Sequence, residues 1–128
     1  MSKYLADTTV VIEMLRGNLS AKNFLENRPA ISAVTAAELI QGVKNKQDLL
    51  IVEKTLTLLP PVTIDTTISQ TALELLKHYH LSHGLLFLDA LIAATAIVKK
   101  LTLVTANLKD FKYIEKLQLA DQQAILNS

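Results

Sequence analysis

The stretch "LLFLDALIAATAIVKK", residues 85–100, constrains the fold of this chain more than any other. Between Leu85 and Val98 it carries one charge, Asp89, and one other polar side chain, Thr95. A helix that is apolar on every side is buried on every side. The run is too short to cross a bilayer, which takes about 20 apolar residues. It must therefore lie inside a layered domain. The carboxylate at its start then needs a reason, because an uncompensated buried charge is costly.

The rest of the chain supplies the layers. Lys3-Tyr4-Leu5-Ala6 reads as a short buried strand that stops at Asp7. Helices are expected over Val10–Leu15, Leu19–Glu26, Val34–Lys44, Asp48–Leu58 and Ile68–Tyr79, from apolar spacing and from the breakers Gly17, Pro29, Pro60, Pro61 and Gly84. Short strands are expected at Ala30–Ser32, Val62–Ile64 and Leu101–Thr105, and a last one is expected to begin at Leu117 and Leu119. Strands alternating with helices argue for a parallel sheet covered on both faces. At 128 residues and with half its residues hydrophobic, one such domain, spanning 1–128, can be built without staples. There is no cysteine, so no disulfide framework is available. With no signal pattern and no membrane span, a soluble cytoplasmic protein is expected. The net charge of +1 gives no reason from composition to expect nucleic-acid binding.

A parallel sheet carries its site at the carboxyl ends of its strands. Asp7 lies just past the first strand, and Asn107 and Asp110 lie just past the strand ending at Thr105. Glu38 sits one turn into the helix after the Ala30–Ser32 strand, and Asp89 near the start of the buried helix. Each residue alone is explained by helix capping. Asp7 fits an N-cap, Thr35-Ala36-Ala37-Glu38 a capping box, Asn107-Leu108-Lys109-Asp110 a similar local pattern, and Asp89 a helix dipole. Capping does not explain why four segments deliver an acid or amide to one rim, nor why Asp89 sits inside "LFLDALIAATA".

With these residues in place, "YLADTTVVIEML", "ISAVTAAELIQG", "LFLDALIAATAI" and "LVTANLKDF" resemble, in order and spacing, the PIN domain, and in length and detail the VapC-type toxins of toxin–antitoxin pairs. The resemblance runs from Tyr4 to about Leu119, with "DALIAATA" its most specific part. It implies a three-layer αβα fold with a central parallel sheet of four to five strands. It implies a ribonuclease dependent on magnesium, with manganese as an alternative, and an acidic pocket matched at Asp7, Glu38 and Asp89. A homodimer neutralised by an antitoxin protein is implied as well. The fourth acidic position, often Asp in the family, is Asn107 here, with Asp110 three residues later to supply the charge. Thr9 and Thr105 match small hydroxyl positions that line such pockets.

In this reading Asp7 and Asp89 are direct metal ligands. Glu38 orients or deprotonates the attacking water, or binds metal through water, and Asn107 and Asp110 complete the rim. Of the cations near the site segments, Arg16, Lys44, Lys46, Lys109 and Lys112, the best candidates for RNA phosphates are Arg16 and Lys109. The His78, His80 and His83 cluster lacks cysteine partners and reads as surface histidines at a helix end rather than a zinc site. A receiver domain would want paired acids after the first strand, and a haloacid-dehalogenase-like phosphatase a second Asp at position 9. Thr8 and Thr9 stand there instead. An inactive PIN scaffold is the remaining rival, on account of Asn107.

Overall fold

A computed structural model describes residues 3–123. The elements run β1 (Tyr4–Ala6), α1 (Thr8–Leu15), α2 (Leu19–Glu26), β2 (Ile31–Ser32), α3 (Ala33–Gln41), α4 (Lys46–Leu58), β3 (Pro61–Val62), α5 (Thr66–His83), α6 (Phe87–Lys99), β4 (Thr102–Thr105), a 3-10 turn (Leu108–Asp110) and β5 (Leu119–Asp121). All strand pairs are parallel, β1 with β4 and β4 with β5 in one ladder, β2 with β3 in another. A bridge between Leu5 and Ala30 joins the two ladders. There the Ala6 N–H donates to the Ala30 carbonyl at 2.8 Å, and the Ala30 N–H to the Tyr4 carbonyl at 2.9 Å. The order across the sheet is thus β3-β2-β1-β4-β5. The chain builds outward from β1 on one side and then returns to build on the other, so the crevice between β1 and β4 is the switch point of the sheet.

Alternation along the strands separates the two faces. Leu5 and Leu103 point into a core made by α5, α6 and the 3-10 region, with Ile68, Leu75, Leu91, Ile92, Phe111 and Ile114. Ala6, Ile31 and Val104 point the other way, into a core with Val10, Val11, Phe24, Leu25, Leu39 and Val52 from α1–α4. This is the three-layer arrangement expected from the sequence. Helix α6 is the centre of its layer, with every residue from Ala90 to Ala96 buried. Thr95, the other polar residue of that run, satisfies its hydroxyl by donating to the Leu91 carbonyl at 2.7 Å.

Several boundaries differ from the sequence expectation. Strand β3 is Pro61–Val62 rather than Val62–Ile64, because proline is accepted as the first residue of a strand, where it owes the ladder no donor. Helix α5 continues four residues past Tyr79 to His83 and ends at Gly84, whose φ of 76° closes it in the left-handed region. Its last turn is His80-Leu81-Ser82-His83, with no apolar face to mark it as helix. The capping box at Thr35 is not formed. Ser32 is the cap of α3, its Oγ accepting from the Thr35 N–H at 3.0 Å, so Thr35 lies inside the helix and Glu38 is released from any capping duty. Among the described residues no helix is long and apolar enough to cross a membrane.

Candidate active site at the switch point

Asp7 follows β1 directly and caps α1. Its Oδ1 accepts from the Thr8 N–H at 2.7 Å, and its Oδ2 accepts from the Thr105 hydroxyl at 2.7 Å. The capping explanation of Asp7 is therefore right and incomplete, since the second oxygen is held from the end of β4, across the switch point. The Thr105 hydroxyl in turn accepts from the Asn107 N–H at 3.0 Å. Thr105 is wholly buried, so its hydroxyl serves Asp7 and the turn after β4. Burial pushes the Asp7 carboxyl above its ordinary range. The bonds from Thr105 and Thr8 oppose this, and the charge of Glu38 adds to it.

Glu38 is exposed on α3 and is held by the Thr8 hydroxyl, 2.6 Å from Oε1. The same hydroxyl lies 3.0 Å from that of Thr35, which lies 3.3 Å from the Ser32 hydroxyl. A hydroxyl has one proton to give, and the shorter contact to a carboxylate takes it. The sequence marks Thr35 only as a helix cap, and does not mark Thr8 or Ser32 as site residues. The signal was present in the hydroxyl-rich turns after β1 and β2, but nothing local shows that the two turns meet.

Asp89 is the third residue of α6. It is half-buried, and Leu86, at the cap position of that helix, makes no side-chain cap bond. Burial raises its carboxyl, and the charges of Asp7, Asp110 and Glu38 raise it further in that order. Four carboxylates from four segments therefore share one field. Asp110 is exposed at the end of the 3-10 turn, on the side of Asp89, whereas Asn107 opens that turn without a side-chain cap bond. Tyr113 borders the same field. Its phenol is pushed up by burial and then by the charges of Asp89 and Asp110.

Thr9 donates to Oε1 of the buried Gln122 at 3.2 Å, and its side chain also bonds the Asp7 carboxyl and opposes the effect of burial there. Gln122 follows β5 on the same rim and was missed in the sequence because that strand was marked there only by its first residues. Lys109 is exposed between Asn107 and Asp110. Arg16 is exposed at the end of α1, 3.8 Å from Glu13, a distance at which a surface pair contributes little. Lys44, Lys46 and Lys112 are exposed as well. The histidines serve the end of α5. His80 Nδ1 lies 2.8 Å from the Leu85 carbonyl, and the His83 ring is stacked on Tyr113.

Among the described residues no group of three or more His, Cys, Asp or Glu is arranged to hold a metal ion. The rim is not a closed cage. It still suits a hard cation, because its donors are all oxygens and magnesium takes only one or two carboxylates, keeping waters for the rest. Asp7, pinned through both oxygens, and Asp89, on a buried helix, are the pair best fixed for that role.

A family profile described as the PIN domain matches residues 4–117. "Ribonuclease VapC10" of Mycobacterium tuberculosis is 33% identical over 122 residues, covering 89% of this chain and 90% of that protein. A toxin–antitoxin complex from Klebsiella pneumoniae contains a chain 31% identical, with a TM-score of 0.75, covering 89% of this chain and 94% of that one. A chain of VapBC2 from Rickettsia felis, solved bound to a DNA fragment from its promoter, is 29% identical with a TM-score of 0.78, covering 92% and 97%.

Proposed function

The chain belongs to the PIN-domain family, in its VapC type, and from that premise we propose that it is a metal-dependent endoribonuclease acting as the toxin of a toxin–antitoxin pair. One observation carries the chemistry. Asp7, Glu38, Asp89 and Asp110 arrive from four segments at the switch point, where burial and the neighbouring acids hold the carboxyls of Asp7 and Asp89 above their ordinary range.

Asp7 and Asp89 would hold magnesium or manganese. When bound, such an ion offsets charge on the scissile phosphate and makes a nearby water more acidic. The chain's own residues do the rest. Thr105 and the Thr8 N–H fix both oxygens of Asp7, so its direction is set before any substrate arrives. Thr8 fixes Oε1 of Glu38 and leaves Oε2 to orient the attacking water and accept its proton. Thr9, Arg16 and Lys109 are assigned to the RNA backbone, the two cations by charge and Thr9 by its place beside Asp7.

The antitoxin is assigned to a groove of about 320 Å³ between α1, α3 and α4, lined by Ile12, Leu15, Leu39, Val43 and Ile51 and reaching Glu38. An apolar partner segment seated there ends beside the acidic rim. Leu19 on α2 and Leu50 and Leu58 on α4 are exposed and offer apolar surface for a second copy of the chain.

Incubation of the purified protein with RNA tests the reading. Cleavage is expected with magnesium or manganese, none with EDTA, and suppression by the product of the neighbouring antitoxin gene. Cleavage that persists in EDTA overturns the metal mechanism, and an intact RNA pool in magnesium favours the inactive scaffold.

The rim makes a finer distinction. Asp110→Ala is expected to lower kcat/KM about tenfold, roughly 1.4 kcal/mol of transition-state stabilisation, and Asn107→Ala to cost clearly less. Asp110 shares the field of Asp89, while Asn107 contributes to the turn through its backbone N–H, which alanine retains. Equal or reversed losses would instead make Asn107 the fourth residue of the site.

A further inference from the structure

Beside the acidic rim stands a pair of stacked aromatic rings that the proposed chemistry does not use. His83 and Tyr113 are stacked face to face, with centroids 4.2 Å apart and planes within 3°. The segments that deliver them are the ones that deliver the acids. His83 ends α5, and after the turn at Gly84 the chain enters α6, whose third residue is Asp89. Tyr113 follows Asp110 by three residues and feels the charges of Asp89 and Asp110.

The stack is held from behind. Tyr79 meets His83 edge-on at 6.1 Å and lies tilted against Tyr113 at 5.4 Å, and its hydroxyl accepts from the Glu115 N–H at 3.4 Å. Ser82 Oγ lies 2.8 Å from His83 Nδ1 and fixes the rotation of the imidazole. Tyr79 and Tyr113 pack on the core, whereas His83 is exposed. Tyr113 covers one face of the imidazole, while His83 as a whole stays exposed. An exposed side chain at a helix end ordinarily samples several rotamers, and this one is held flat.

We propose that the His83–Tyr113 stack is a platform for one base of single-stranded RNA, next to the bond that is cut. Unstacked bases of single-stranded RNA are commonly read by stacking on aromatic side chains, histidine included, and such stacking tolerates any base. The stack offers a flat aromatic face, which suits a neutral base better than a phosphate. This inference rests on the ribonuclease reading and deepens it, giving the substrate a single-stranded segment with a splayed base.

Two measurements test it. In the first, the protein is titrated, in calcium rather than magnesium, into an oligoadenylate dodecamer carrying one 2-aminopurine. Stacking quenches the fluorescence of that base, and His83→Ala should abolish the quenching while His83→Phe retains it. In the second, a short RNA that the protein cleaves is compared with the same RNA lacking one base beside the cut. His83→Ala should raise KM for the intact RNA about tenfold with kcat little changed, and should have no effect on the abasic RNA. His83 is exposed, so the variant folds, and circular dichroism checks this. Quenching without cleavage upholds the platform and overturns the nuclease. Cleavage with His83→Ala equal to wild type in KM and quenching overturns the platform and leaves the nuclease standing. If neither signal appears, both readings fall.

Discussion

Asp89→Asn is expected to lower metal-dependent RNA cleavage by about 10²–10³-fold while leaving the fold intact. The substitution is nearly isosteric. The helix around it is held by the buried run Ala90–Ala96, which does not depend on the carboxylate, so circular dichroism should not change. What is removed is one negative charge from a rim whose use of a cation depends on charge. Asp7→Asn should cost at least as much and should also disturb the site locally. One of its oxygens becomes an NH₂ donor, yet both oxygens now accept, from the Thr8 N–H and the Thr105 hydroxyl. Asp89→Asn therefore separates chemistry from structure more cleanly. If it retains wild-type cleavage, Asp89 is no more than a helix-dipole residue and the two-carboxylate assignment is wrong.

Thermal melts give the second large effect. Magnesium or manganese at a hundredfold excess over its dissociation constant stabilises the folded state by about 2.7 kcal/mol, which for a domain of this length raises Tm by roughly 10 °C. In the metal-free protein Asp89→Asn should itself raise Tm, by removing a charge that burial and three neighbouring acids disfavour, and it should abolish most of the response to metal.

The dependence on pH has a definite sign. The folded carboxyls of Asp7 and Asp89 lie above the ordinary value of 3.8, so the folded state binds more protons than the unfolded state between that value and the raised one. Stability contributed by these groups then falls as pH rises through the window, and the cost of ionising them is fully present above it. The advantage of Asp89→Asn over wild type should therefore be largest near neutral pH, shrink as pH falls through the raised value, and vanish below about 3.8. Asp65 works in the opposite direction. The Ile68 N–H holds its carboxylate below the usual range, so its contribution is lost as acid protonates it, in wild type and variant alike. A wild type whose Tm ignores millimolar magnesium and manganese would falsify the acidic-pocket reading.

Much of the layout is written locally. The apolar run from Leu85 to Val98 specifies a buried helix because a 3.6-residue period with no polar face has nowhere else to go. Asp7, Asn107 and Asp110 are marked by lying just past parallel strands, Glu38 by its place one turn into the helix after another, and Asp89 by standing near the start of an apolar helix; Asp7, Glu38, Asp89 and Asp110 lie in a shared field. Other residues gave no such signal. The last turn of α5 is hidden by histidines and a serine, which carry no apolar period. The capping box at Thr35 matched a pattern, but Ser32 stands three residues earlier and reaches the Thr35 N–H first. Gln122 and Thr8 looked ordinary, since what distinguishes them is the side chain they meet.

The sequence by itself determined which segments are helix and strand, which of them are buried, and that the acids lie past strand ends and near helix starts, because periodicity and chain breaks act over a few residues. Only the tertiary structure decided which groups hold those acids. Thr105 fixes Asp7 across 98 residues of chain and Thr8 fixes Glu38 across 30, and both contacts exist because β1 lies between β2 and β4. Strand order is set by how two cores pack on opposite faces of one sheet. Hydrogen bonds of 2.6–2.7 Å form only after that packing has brought the ends of separate strands together.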